Sequence, residues 1–218
     1  MEIQIGEILF HADWQLIVLG MIIGFSAFLY LREMHRGDGR QYHQLAAVAA
    51  IPIGVLSLLA HELAHGYVAN NTGLVVREGA FFYYGAKVFL EYSSALTAKQ
   101  LFFVALAGSV MNLAIALVLL IPVKLRGDTL FETLLQFGVL FNLGMFAFNL
   151  VPILGLDGYL VLLAIIWEHV GKLTIAMYLV NYAAAGIIGA IVLTLVISLG
   201  VFLLRHQKRK PARPIQGS

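Results

Sequence analysis

The sequence predicts an all-α polytopic membrane protein, with about six transmembrane helices and a short membrane-associated β-hairpin region. Three observations carry that prediction. Of the 218 residues, 61% are hydrophobic and only 12% charged, about half the charged fraction of a soluble domain. The mean hydropathy is +0.88. Several apolar runs approach or exceed the roughly 20 residues a helix needs to cross a bilayer. The net charge of +2 gives no reason to expect nucleic acid as a partner. With no cysteine in the chain, disulfides and thiolate metal sites are excluded, and any metal must take nitrogen and oxygen ligands.

Taken in order, Met1–Asp13 carries Glu2, Glu7 and Asp13 but no Lys or Arg, unlike the basic start of a cleavable signal. Trp14–Leu31 is therefore expected to stay as a first membrane helix, with Gly20 and Gly24 forming a small-residue seat for a neighbour. Arg32–His43 reads as a polar loop. Leu45–Asn70 is the second span, and Pro52 inside it predicts a local bend. Asn70-Asn71-Thr72-Gly73 ends that helix with turn residues. Residues 74–95 are dense in β-formers, which predicts one or two hairpins at the membrane edge with Gly79 and Gly85 as turn points. The alternative is an irregular interfacial loop carrying an aromatic belt.

Leu101–Ile121 is the third span, closed by Pro122, and Lys124–Asp128 is a polar loop. Leu130–Leu150 is the fourth. Val151–Gly158 then breaks the helical pattern while staying apolar except at Asp157. Tyr159–Trp167 is apolar but short, so it spans only as a continuation from that break. Leu173–Leu204 is long enough for one tilted span, or for a span interrupted near Gly186 and Gly189. The chain thus divides into a first helix and loop (1–44), a core (45–158) with its strand-rich insert (74–95), C-terminal helices (159–204) and a basic tail (205–218). Arg205, Lys208, Arg209, Lys210 and Arg213 place the tail in the cytoplasm. An even number of crossings puts the N-terminus there too. The expectation is a multi-pass protein of the cell membrane with a cytoplasmic C-terminus.

The residues that carry chemistry are His61-Glu62-Leu63-Ala64-His65. On a helix, the two histidines lie one turn apart on one face, a spacing that lets two imidazoles hold one zinc ion, with Glu62 placed to take a proton from an attacking water. Two histidines and a carboxylate inside a membrane-length apolar run are costly to insert and call for a function. The bland alternative is a pair of structural histidines bonded to facing helices. Catalytic zinc takes three protein ligands and leaves a position open. His11, His35, His43, His169 and His206 fall in loops or at span ends and read as surface residues. Asp157 is the only carboxylate between Leu134 and Ile166. The second and fourth spans run parallel, so Asp157 can meet His61 and His65 at one depth; a helix cap or an Arg pair are its other readings.

His61-Glu62-Leu63-Ala64-His65, Asn149-x-x-Pro152 and Leu156-Asp157-Gly158 together resemble the site-2 protease family of intramembrane zinc metalloproteases. Ala107-Gly108-Ser109-Val110-Met111-Asn112 is similar to the family's glycine-to-asparagine motif, with Ser109 where proline often stands. The strand-rich stretch after the first motif matches the archaeal-type branch, and a minimal member without a PDZ or CBS domain is expected. The resemblance implies a metalloprotease core with one Zn2+ per chain, held by His61, His65 and Asp157. It implies Glu62 as general base and then proton donor to the leaving amine, and a membrane-spanning protein or peptide as substrate, cut near the cytoplasmic face. Asn149 and, after it, Asn112 are the candidate donors to the oxyanion; each has a helix–helix hydrogen bond as its alternative. Residues 75–92 would offer a strand edge to an unwound substrate. Two other readings stay open: another membrane zincin with Glu168 as third ligand, and a non-proteolytic metal-binding protein or transporter.

Overall fold

The computed structural model describes residues 2–34, 39–83, 85–91, 96–123 and 129–208. The polar loop expected at Lys124–Asp128, the end of the strand-rich insert and the tail beyond Lys208 lie outside them. The chain opens with strands β1 (Glu2–Ile5) and β2 (Ile8–His11), followed by helices α1 (Trp14–Met34) and α2 (Arg40–Asn71). Strands β3 (Val75–Phe82) and β4 (Gly85–Glu91) come next, then α3 (Ala98–Leu120), α4 (Leu130–Asn149), α5 (Asp157–Val170) and α6 (Leu173–Lys208).

Five of these helices, α1, α2, α3, α4 and α6, are long and apolar enough to cross a membrane. α5 has 14 residues, about 21 Å of helix, short of the ~30 Å hydrocarbon core. Its direction explains its length. Asp157 at its start accepts from Ser109 of α3, and Glu168 near its end lies 3.9 Å from Lys99 at the start of α3. α5 therefore runs antiparallel to α3, in the same sense as α4, and completes the crossing that α4 begins. The described helices offer five candidate crossings, beside the about six of the sequence reading. The even count that put both termini on one side does not follow from them.

α1 and α2 pack through the small residues picked out in the sequence. A Cβ on Gly20 or Gly24 would lie 3.3 or 3.2 Å from the Ile51 side chain, and one on Gly54 would lie 2.7 Å from Ile23. α2 runs unbroken through Pro52 and begins at Arg40, so Arg40–His43 belong to the helix rather than the loop. His43 is correspondingly buried, against the expectation of a surface residue. α2 ends in a Schellman motif: Leu74 N–H donates to the Ala69 carbonyl at 3.0 Å, Gly73 N–H to that of Asn70 at 3.3 Å, and Gly73 has φ +84°.

That stop feeds a four-stranded sheet in the order β1-β2-β3-β4. β1–β2 and β3–β4 are antiparallel hairpins, and β2 runs parallel to β3, with Phe10 opposite Gly79. The N-terminal hairpin was not foreseen. Its signal is present: alternating Ile3, Ile5, Ile8 and Phe10 flank a two-residue turn whose first residue, Gly6, has φ +61°, as a type II′ turn requires. Gly79 is not a turn point. It sits inside β3 beneath the Phe10 ring, 2.6 Å from where its own Cβ would be. The sheet rests on α2 at Gly66, whose missing side chain leaves room for Ile8.

Candidate metal centre

α2 supplies the first two candidate ligands. His61 and His65 are both buried, with their Nε2 atoms 3.1 Å apart. α5 supplies the third. Asp157 Oδ2 lies 3.2 Å from His61 Nε2, and Asp157 Oδ1 lies 3.4 Å from His65 Nε2. Among the described residues these three form the metal-capable cluster. Tetrahedral zinc with bonds of about 2.0–2.1 Å to nitrogen and oxygen sets its ligand atoms about 3.3 Å apart, and the gap between the two Nε2 atoms and the gap from each to its nearer carboxylate oxygen all fall close to that value.

The tautomer of His65 fits the same role. Its Nδ1 lies 2.6 Å from the Val104 carbonyl, which can only accept, so Nδ1 carries the proton and Nε2 presents a lone pair to the cluster. Nδ1 of His61 is buried with no partner among the described residues. Ser109, fully buried on α3, donates its hydroxyl to Asp157 Oδ2 at 3.3 Å. Asp157 makes no side-chain cap on its helix, and its ion-pair partners among the described residues are the two histidines.

Two glycines make the close approach possible. A Cβ on Gly108 would sit 2.6 Å from His61 Nε2 and closer still to His65 Nε2, so α3 meets the histidines with bare backbone. A Cβ on Gly158 would collide with the Leu150 carbonyl and lie 2.7 Å from that of Val151. The chain reaches Asp157 through a turn in which Leu156 N–H donates to the Ile153 carbonyl at 3.1 Å and Gly155 has φ +97°, the positive φ of a type II turn. The interruption after α4 is thus what delivers a carboxylate to the depth of the histidines.

A cavity of about 420 Å³ opens beside the cluster, lined by His61, Glu62, His65, Asn149 and Asp157, by β4 from Gly85 to Val88, and by apolar side chains of α3, α4 and α5. Glu62 is buried, and its Oε2 accepts from the Val88 N–H of β4 at 2.9 Å. Asn149, the last residue of α4, faces the cavity and spends one amide hydrogen on the Met145 carbonyl at 3.1 Å. Asn112 lies one turn beyond Gly108 on α3, outside the cavity lining, fully buried, with neither amide atom partnered among the described residues. On the fourth span a helix–helix hydrogen bond is made instead by Asn142, which donates to Ser57 at 2.9 Å. Glu168 stands eleven residues along α5 from Asp157, about 16 Å away by helical rise, and is no part of the cluster.

Sequence reasoning missed the carbonyl of Val104, the hydroxyl of Ser109 and the N–H of Val88. Ser109 was visible only as a departure from the motif. The other two are backbone atoms and leave no mark on side-chain type.

No family model matches the chain. A Synechocystis protein named as a zinc metalloprotease, sll0528, is 37% identical over 121 residues, covering 53% of this chain and 31% of that protein. Rip3, named as a zinc metalloprotease in Mycobacterium tuberculosis, is 24% identical over 231 residues, covering 96% of this chain and 58% of that protein. The chain therefore spans less than two thirds of the length of either relative. The structure of a site-2 protease from Methanocaldococcus jannaschii superposes with a TM-score of 0.56 at 19% identity, covering 93% of this chain and 88% of that one. The fold is shared, and the resemblance drawn from the motifs is matched by both comparisons.

Proposed function

We propose that this chain is a member of the site-2 protease family and an intramembrane zinc endopeptidase that hydrolyses peptide bonds of membrane-spanning substrates. The observation that carries the reading is the convergence of His61, His65 and Asp157, with the two Nε2 atoms 3.1 Å apart and each within 3.4 Å of one carboxylate oxygen, and with a carboxylate and an amide sharing the cavity. The sequence relatives, named as zinc metalloproteases, support it. Zinc, when bound there, supplies the Lewis acidity that makes water nucleophilic near neutral pH.

The chain's own residues do the rest. Glu62 takes the proton of the attacking water and returns it to the leaving amine. Asn149 has an amide hydrogen to spare beyond its Met145 bond and donates to the oxyanion. Asn112, offered by the sequence as a second donor, has its amide unspent but lies outside the cavity lining, and is given no part in the step. Substrate helices keep their backbone bonds internal, so the scissile segment must be extended before it is cut. β4 ends the sheet, and its outer edge lines the cavity, where an extended segment can add as a further strand.

The centre lies about 15 Å, ten residues of helical rise, below the end of α2, on the side of the sheet. The sequence read that face as cytoplasmic. With five crossings, Arg77, Lys87, Lys99 and Lys172 lie on the sheet side and the tail on the other; with six, sheet and tail share a side.

The test is metal analysis of the wild type, His65→Ala and Asp157→Ala, joined to cleavage of a model transmembrane peptide by the wild type and Glu62→Gln. Zinc lost from the first two variants, and cleavage abolished in the third with zinc retained, is the expected result. A wild type that binds zinc and cuts no membrane peptide would leave a non-proteolytic metal-binding protein or transporter as the better reading.

A further inference from the structure

The mechanism asks two things of one corner of the cavity, and in the structure the two groups concerned are hydrogen-bonded to each other. Glu62 must be free to exchange protons. In the structure its Oε2 is bound to Val88 N–H at 2.9 Å. An extended substrate must find donors along the outer edge of β4. Val88 pairs with Gly79 of β3 on its inner side, yet its N–H points to Glu62, away from β3. By the alternation of an antiparallel ladder, the N–H of Ala86 lies on that same outer edge, and those of Lys87 and Phe89 face β3. Glu62 thus occupies a donor that an added strand would use.

We propose that Val88 N–H is a shared donor, held by Glu62 when the cavity is empty and handed to a backbone carbonyl of the extended substrate when it docks. The exchange breaks one hydrogen bond and makes one. Its by-product is an unbound Glu62 carboxylate, beside the histidines, at the moment substrate is in place. Val88 is then a positioning residue that acts through its backbone, and docking and base release are a single event. This rests on the protease reading above, including its extended peptide on the β4 edge, and adds the exchange of donor between Glu62 and that peptide.

The exchange makes Glu62 a competitor of the substrate, which a binding measurement detects without turnover. The probe is a fluorescein-labelled octapeptide of alternating leucine and alanine, titrated against the zinc-loaded full chain in detergent, with zinc content checked for every variant. Glu62→Ala frees the donor and is expected to bind the probe about tenfold tighter than the wild type, since hydrogen bonds to charged acceptors exceed neutral ones. Glu62→Gln, whose neutral carbonyl still accepts, falls between. Val88→Pro removes the N–H from the outer edge, where proline is tolerated in a sheet. In that background Glu62→Ala is expected to change affinity by less than twofold, and the double-mutant cycle reports the coupling. Val88→Ala, which keeps the N–H, is expected to preserve the order of the three Glu62 forms.

Equal affinities of wild type, Glu62→Gln and Glu62→Ala would overturn the proposal, as would the same tightening with Val88 and with proline. If Val88→Pro fails to bind zinc, the order of the three Glu62 forms still decides. A wild type that binds the probe competitively with Glu62 yet cuts nothing would sink the protease reading and leave the exchange standing.

Discussion

Replacing Gly108 by alanine probes the metal centre with one carbon atom. The added Cβ would lie 2.6 Å from His61 Nε2 and 2.7 Å from His61 Cδ2, and nearer still to His65 Nε2. Carbon contacts settle at about 3.5–4.0 Å, so both imidazoles must retreat by roughly 1 Å. A zinc site tolerates about 0.2 Å in its ligand distances, so the retreat cannot be absorbed while both bonds are kept. Removing an outer partner of a zinc ligand costs about 10–100-fold in affinity. Displacing two ligands should exceed that, giving at least ~100-fold weaker zinc, about 2.7 kcal/mol. The metal-free fold should suffer far less. Without zinc the rings can turn aside, and alanine favours the helix over glycine by about 0.5–1 kcal/mol. The assay is a chelator-competition titration of zinc on detergent-solubilised protein, run beside thermal unfolding in EDTA. Wild-type zinc affinity in Gly108→Ala would refute the placement of α3 against the histidines. A large fall in the melting temperature of the metal-free variant would refute the claim that the damage is local to the site.

Three further outcomes are expected. Ser109→Ala removes the hydroxyl that reaches Asp157 Oδ2 and should weaken zinc about tenfold, read in the same titration; unchanged affinity would mean that Asp157 is held by its turn alone. Asn149→Ala should lower kcat on a model peptide by roughly 10²–10³ with KM little changed, and a change confined to KM would reassign Asn149 to substrate binding. Because the chain has no cysteine, single cysteines introduced at Lys87 and at Lys208 can be labelled with a membrane-impermeant maleimide from either side of intact cells. Five crossings predict labelling from opposite sides, and same-side labelling would restore the count of six.

Much of the site was legible because membrane insertion penalises polar groups. In a span with little reason to carry them, His61, Glu62, His65 and Asp157 stand out by residue type alone, and helical spacing puts the first three on known faces. Gly20 and Gly24 were legible for a related reason, since small residues at one-turn spacing mark where two helices can approach. The N-terminal hairpin was passed over because its eight strand residues are too few to compete with the question of a signal peptide. Gly79 was misread because a glycine that makes room for a ring and a glycine that makes a turn look alike in sequence. The count of about six crossings stands beside five described helices long enough to cross, because length alone does not say whether α5 reverses the direction of α4 or continues it.

By itself the sequence determined that this is a membrane protein, that any metal ligands must be nitrogen and oxygen, and which few polar residues fall in or beside its apolar runs. These follow from composition and from the energy of placing charge in lipid, both local properties of the chain. Only the tertiary structure decided what closes the site. α3 brings the bare backbone of Gly108 against the imidazoles, the Val104 carbonyl sets the His65 tautomer, and β4 offers Glu62 a backbone N–H. Those contacts join residues 26 to 47 positions apart in the chain, and two of them are made by a backbone carbonyl and a backbone N–H that almost every residue possesses, so residue identity could not announce them.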